Sequence, residues 1–151
     1  MRTATLMLVL LGTTLVAEAN VEEKKKRDSI DEAAAKAATD IKDCGRTFKV
    51  AFDWNAFDNI DWKGIKREKH EYYGTEHSNL AHLGEGLNKL CADKDYKAAL
   101  VKIDTIIYRS TNNEKIRVKA VINGSTMTLD NYSFGSTRSA SDYEGAAKAA
   151  L

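Results

Sequence analysis

Asn123-Gly124 lies between two alternating apolar–polar runs, and no other feature of the chain restricts the fold as tightly. Asn-Gly tolerates the positive φ angles of a two-residue type I′ loop, so the flanking runs read as a β-hairpin. With the loop there, Ile122 pairs with Ser125, Ala120 with Met127 and Val118 with Leu129. That register keeps the apolar residues of both strands on one face. Upstream, Val101, Ile103 and Ile107 alternate with polar neighbours, and a loop from Thr111 to Glu114 sets Ile107 opposite Val118. Three consecutive antiparallel strands are therefore predicted at 100–109, 115–122 and 125–134. Apolar parity changes between Leu129 and Tyr132, which predicts a bulge near Asp130-Asn131.

A fourth strand is predicted at 46–54, where Phe48, Val50, Phe52 and Trp54 alternate with Lys49, Ala51 and Asp53. Its place stays open between either edge of the sheet and a pairing with residues 65–73. Ser29 and Glu32 form a capping-box pattern ahead of a helix over 29–43, whose apolar stripe is Ile30, Ala33, Ala34, Ala37, Ala38 and Ile41. A second helix over 75–91 aligns Leu80, Leu83, Leu87, Leu90 and Cys91. Gly84 and Gly86 inside it imply close packing against a neighbour or a break. A short helical turn follows Asp93 or Asp95. Residues 55–73 read equally as a short helix capped by Asp61 and as an edge strand. The fold class is α+β: an antiparallel sheet of about four strands with helices packed on one face.

The N-terminal 19 residues carry Arg2, an apolar run from Leu6 to Val16, and small residues at Ala17 and Ala19. This is the pattern of a cleaved signal peptide, and the run is too short for a permanent span. The expected organisation is a signal peptide at 1–19, a charged solvated leader at 20–28, one domain at 29–134, and a mobile Gly/Ser/Ala-rich tail at 135–151. Export places the product in a periplasmic or extracellular compartment that permits oxidation. The only two cysteines, Cys44 and Cys91, each fall near the end of a predicted helix, so they are read as a disulfide.

Net charge is +1 from 23 basic and 22 acidic residues, so no overall field points to nucleic acid or an anionic membrane. Proline is absent, which excludes PxxP ligands. His77 and His82 are five residues apart on one helix and do not converge on an ion; no metal and no cofactor are expected. Neither Gly-x-Ser-x-Gly nor a phosphate-loop pattern occurs, so no catalytic residue is assigned. Asn123 and Asn131 match the glycosylation sequon, a common chance pattern.

The most unusual segment interleaves aromatics with acids and amides between Asp53 and Trp62. Exposed, Trp54, Asn55, Phe57, Asp58, Asp61 and Trp62 would form a surface for stacking on a sugar or anchoring a protein. Buried, Trp54, Phe57, Ile60 and Trp62 would fill the core while the acids cap turns. The functional expectation is a small exported non-enzymatic binding protein with a protein or envelope-polymer partner, of the inhibitor or immunity type. The alternative is a small exported hydrolase or ligand-binding enzyme with a helix–sheet pocket lined by His70, Tyr72, Glu76 and His77.

Overall fold

The computed structural model describes residues 6–63, 65, 67–134 and 136–151, with side chains from Asn20 onward. Residues 1–5 of the expected signal segment, and the side chains of 6–19, lie outside the described residues. Helix α1 (Leu6–Asp40) is followed by β1 (Lys49–Phe52), α2 (Trp54–Asp58), a 3-10 turn (Lys69–Tyr72), α3 (Tyr73–Leu90) and α4 (Lys94–Leu100). Strands β2 (Thr105–Thr111), β3 (Val118–Asn123) and β4 (Thr126–Tyr132) then lead into α5 (Ala140–Ala150). Helix α3 meets both α1 and α5, α1 meets β1 and α5 meets β3, so the α+β class holds. Among the described residues, no helix is long and apolar enough to cross a membrane.

The sheet is mixed rather than antiparallel. Its order is β1-β2-β4-β3, with β1/β2 and β2/β4 parallel and β3/β4 antiparallel. The expected β2–β3 pairing does not form, because β4 inserts between the two strands. Burial explains the choice. β4 buries Met127, Leu129 and Asn131, whereas no residue of β3 is fully buried. The more apolar strand takes the central place, and β3, with Lys119 on it, takes the edge. β1 occupies the other edge, and the described residues of 65–73 contribute no strand.

The hairpin is present with its register moved by two residues: Asn123 pairs with Thr126, Ile122 with Met127 and Ala120 with Leu129. Only Gly124 supplies a positive φ, +59°, and no non-glycine among the described residues has one. A type I′ loop needs two such angles, but a type II′ loop needs one, at its first central position. The turn is therefore centred on Gly124-Ser125. Nor is there a bulge, since the ladder runs unbroken through Asp130 and Asn131. The change of apolar parity reflects a polar residue, Asn131, turned inward.

Cross-strand rows build the covered face: Val50, Ile106, Met127 and Ile122, then Phe52, Tyr108, Leu129 and Ala120. Against them α1 places Ile30, Ala33, Ala34 and Ala37, with Ile41 just past its end, and α3 places Leu80, Leu83, Leu87 and Leu90. Ser29 does not start α1. The i, i+4 pairs Lys24–Asp28, Lys26–Glu22 and Arg27–Glu23 carry the helix back through the supposed leader. The tail is likewise ordered, as α5, with a Ser139–Asp142 capping box and with Tyr143 and Ala147 fully buried. Its alanines allow close approach, and the one large residue among them is the anchor.

Close approach is also why α3 contains two glycines. A Cβ on Gly84 would lie 2.9 Å from the Ala37 Cα of α1, and one on Gly86 would overlap the Ala140 carbonyl of α5. Cys44 and Cys91 form a disulfide between the chain just past α1 and the end of α3, their Cα atoms 4.7 Å apart. Asn88 reinforces the joint, accepting from the Asp43 N–H at 2.9 Å and donating to the Asp43 carboxylate at 2.7 Å.

Gly86→Ala is expected to lower stability by roughly 1–3 kcal/mol through overpacking. Gly145→Ala, in the exposed interior of α5 with open space around it, should raise stability by about 1 kcal/mol through helix propensity. Urea denaturation of the two variants checks the opposite signs. For a sequence separation of 47, reducing the disulfide should cost about 4 kcal/mol in the chain-entropy picture. Denaturation with and without reductant measures it.

Candidate functional site

The aromatic–acidic segment is divided by the fold rather than displayed as one surface. Phe57 is fully buried, meeting Phe52, Trp54, Trp62 and Tyr73 at centroid distances of 5.2–5.9 Å. Trp54 is half-buried: its indole N–H donates to Asp31 at 2.8 Å, and Arg27 lies 4.6 Å over its ring. Asp58 accepts from both terminal nitrogens of Arg27, at 2.7 and 3.0 Å, and from Lys69 at 2.6 Å. Asn55 is exposed and accepts from the Asn59 amide. Asp61 accepts from the Lys63 N–H and lines a small polar cleft beside Arg109 and Asp130. Helix α2 causes this separation, because it turns Trp54 and Phe57 inward together. Trp54, Phe57 and Asp58 of the expected binding surface are thus core or internal ion pair.

Trp62 alone of these residues reaches the largest cleft described, about 730 Å³ between residues 22–26 of α1 and the segment from Trp62 to Tyr73. Trp62, Ile65 and Tyr73 provide its apolar surface. Polar and charged side chains rim it, with Lys26 3.7 Å from Glu22, Lys69 3.7 Å from Glu23, and His70 Nδ1 3.2 Å from Glu68. The wall is fastened from α1, where Glu23, Arg27 and Asp31 recur every four residues on one face and reach Tyr73, Asp58 and Trp54. Hydrogen bonding and charge from Arg27 hold the Glu23 and Asp58 carboxyls below the usual carboxylate range. Burial pushes the Tyr73 phenol up to about 12. It is therefore a neutral hydrogen-bond donor at physiological pH.

The four residues of the expected enzymatic pocket do not meet in a pocket. His70 and His77 are exposed and line a shallow groove beside the cleft. Tyr72 is buried against Trp62 and Phe134. Glu76 is fully buried and faces the sheet, one residue and therefore about 100° around α3 from His77.

Glu76 is the centre of a polar network that sequence reasoning missed. Tyr108 donates to one carboxylate oxygen at 2.5 Å and Ser110 to the other at 2.6 Å. The Tyr108 oxygen accepts from Asn131 at 2.6 Å and Asn79 at 3.2 Å. Asn131 in turn donates to Ser133 at 2.7 Å and accepts from Tyr143 at 3.2 Å. The available signal was the continued alternation Met127, Leu129, Asn131, Ser133, read above as a bulge. Burial pushes the Glu76 carboxyl up, against the pull of its hydroxyl partners. Burial also raises Tyr108, with the Glu76 charge adding to it.

Comparison with protein-family models, curated proteins and solved structures returned no match to this chain.

A carboxyl raised in the folded state binds its proton more tightly folded than unfolded. Its contribution to stability is greatest at low pH. It is lost as pH rises from the ordinary glutamate range through the folded-state value. Subtracting the pH–stability curve of Glu76→Gln from that of the unmodified protein should therefore leave a difference falling with pH. Glu76→Ala should cost about 1–3 kcal/mol, because it strands the Tyr108 and Ser110 hydroxyls.

Proposed function

We propose that this chain is a small exported protein that binds a protein or envelope-polymer partner without catalysing a reaction on it, in the manner of an inhibitor or immunity protein. The observation that carries the reading is the cleft at Trp62, Ile65 and Tyr73. An apolar patch on whose rim Lys26 pairs with Glu22 and Lys69 with Glu23 offers contact area at a reduced desolvation cost on binding, since those charges keep their partners. Trp62 is the anchor, being large, half-buried and backed by Phe57, Tyr72 and Phe134. The Cys44–Cys91 bond is compatible with an oxidising, periplasmic or extracellular destination. The titratable groups most displaced by burial, Glu76, Tyr108 and Tyr143, lie sealed under α3 and α5, where they serve the fold.

The test is affinity capture from the protein's own envelope and secreted fractions, followed by titration of each purified partner. Trp62→Ala should weaken binding about tenfold or more, as truncating a central aromatic anchor does. Asn55→Ala, on an exposed position outside the cleft, should leave affinity unchanged. Undiminished affinity of folded Trp62→Ala and Ile65→Glu variants for every captured partner removes the cleft from the account.

A further inference from the structure

One face of the sheet is covered and the other is bare. Helices α1, α3 and α5 pack on the side to which Ile106, Tyr108, Met127 and Leu129 point. Successive strand residues alternate between faces, so Ile107 and Arg109 of β2, Thr128 and Asp130 of β4, and Lys119 and Val121 of β3 point the other way. All six are half-buried or exposed, and Val121 is one of the two large hydrophobic side chains exposed among the described residues. Helix α2 borders this face at the carboxyl end of β2, beside Arg109. Strands paired in parallel, as β1, β2 and β4 are, ordinarily have both faces of their sheet covered.

The bare face carries an ordered row of charge. The register sets Arg109 beside Asp130 and Asp130 beside Lys119. Asp53 completes the row, because its N–H donates to the Tyr108 carbonyl at 2.8 Å and continues the β1–β2 ladder by one residue. Across the four strands the signs therefore alternate: Asp53 negative, Arg109 positive, Asp130 negative, Lys119 positive. Arg109 donates to both Asp130 oxygens, at 2.5 and 3.0 Å. That bonding holds the Arg109 guanidinium above its ordinary range, and the Asp53 charge adds to the effect. The neighbouring row runs Ala51, Ile107, Thr128, Val121.

A half-turn about an axis along the strands, midway between two such faces, reverses the order of each row. Asp53 then faces Lys119 of the other copy, and Arg109 faces its Asp130. The same rotation sets Ala51 against Val121 and Ile107 against Thr128, the smaller residue against the larger each time. A surface that meets its own complement under a two-fold rotation fits an isologous interface, in which every contact occurs twice. A partner of uniform charge would match only half of the row.

We propose that the bare face of the sheet is the contact surface between two copies of this chain. Face-to-face sheets stack about 10 Å apart with their strands within about 30° of each other. Strand spacing gives a footprint of roughly 400 Å² per copy, about half that of a standard interface, so the dimer is weak and reversible. The interface does not rest on the binding reading given above.

The test is sedimentation velocity on the protein as its cell produces it, disulfide intact, from about 10 μM to about 1 mM. A monomer–dimer equilibrium should appear within that range, and added salt should weaken it. Lys119→Glu sets like charges against Asp53 twice per dimer and should weaken association about tenfold or more, whereas Lys119→Arg should preserve it. Lys94→Glu, the same charge change on α4, should leave it unchanged. A nitroxide on Asn123→Cys in one copy should broaden the Lys49–Phe52 amides of an isotope-labelled second copy, as the reversed rows require. An unchanged urea midpoint in each variant separates a lost contact from a lost fold. A protein that stays monomeric through the whole range overturns the proposal, as does an association constant that Lys119→Glu leaves unchanged. A monomer whose Ile107 and Val121 amides shift with a captured foreign partner overturns it too, and assigns the face to that partner. Should Lys119→Glu fail to fold, the broadening decides alone.

Discussion

The Tyr108 hydroxyl ties helix α3 to strand β4 through the buried side chains around it. It donates to Glu76 of α3 and accepts from Asn131 of β4, while Asn131 takes the Tyr143 hydroxyl of α5. One connected set of hydrogen bonds therefore runs through α3, β2, β4 and α5. In a dry interior such groups are costly unpaired, so each partner must be present and correctly placed. That demand selects the strand order. Only with β4 beside β2, in parallel register, do Ser110 and Asn131 become neighbours under Glu76. A β2–β3 hairpin in the expected register would set Lys115 opposite Ser110 and leave the Tyr108 hydroxyl without Asn131.

The remaining helices are fastened by proximity and by covalent linkage. The buried face of α1 is largely alanine and contributes little apolar area per residue. It compensates by close approach at Gly84, by the Cys44–Cys91 bond at its end, and by ion pairs at its other end. Those ion pairs connect α1 to the aromatic segment. Arg27 covers Trp54 and clamps Asp58, so the acids that looked available to a partner are occupied within the molecule. What they leave open is the cleft at Trp62, whose wall they hold in place. Stability and the proposed binding surface thus share the same contacts.

Local chemistry made a good part of this legible. Alternation marked Val50 and Phe52 as inward, helical spacing marked the buried stripes of α1 and α3, and Gly84 and Gly86 announced close packing. The pairing of the two cysteines followed from their number and the export pattern. The candidate site was less legible. Trp62 and His70 border the cleft, but Tyr72 and Glu76 turn away from it, and Asn79, Asn131, Arg138 and Tyr143 carried no motif. Polar residues at inward strand positions look, in sequence alone, like a break in the strand.

The amino-acid sequence by itself determined where the four strands and the buried stretches of α1 and α3 form, which faces of those two helices turn inward, and that a glycine turn joins β3 to β4. These depend on periodicity, on propensity and on the freedom of Gly124 to adopt a positive φ, all properties of neighbouring residues. Tertiary structure decided the rest: strand order, the two-residue shift of the hairpin, the ordering of α5, and which aromatics reach solvent. Those outcomes depend on residues far apart in the chain that satisfy one another only after assembly. Ser110 needs Glu76, Asn131 needs Tyr108, Tyr143 needs Asn131, and the close approach of the Ala140 carbonyl needs Gly86. No local pattern encodes a hydrogen-bond partner that the chain supplies thirty residues away, so burial of the whole network settled what spacing left open.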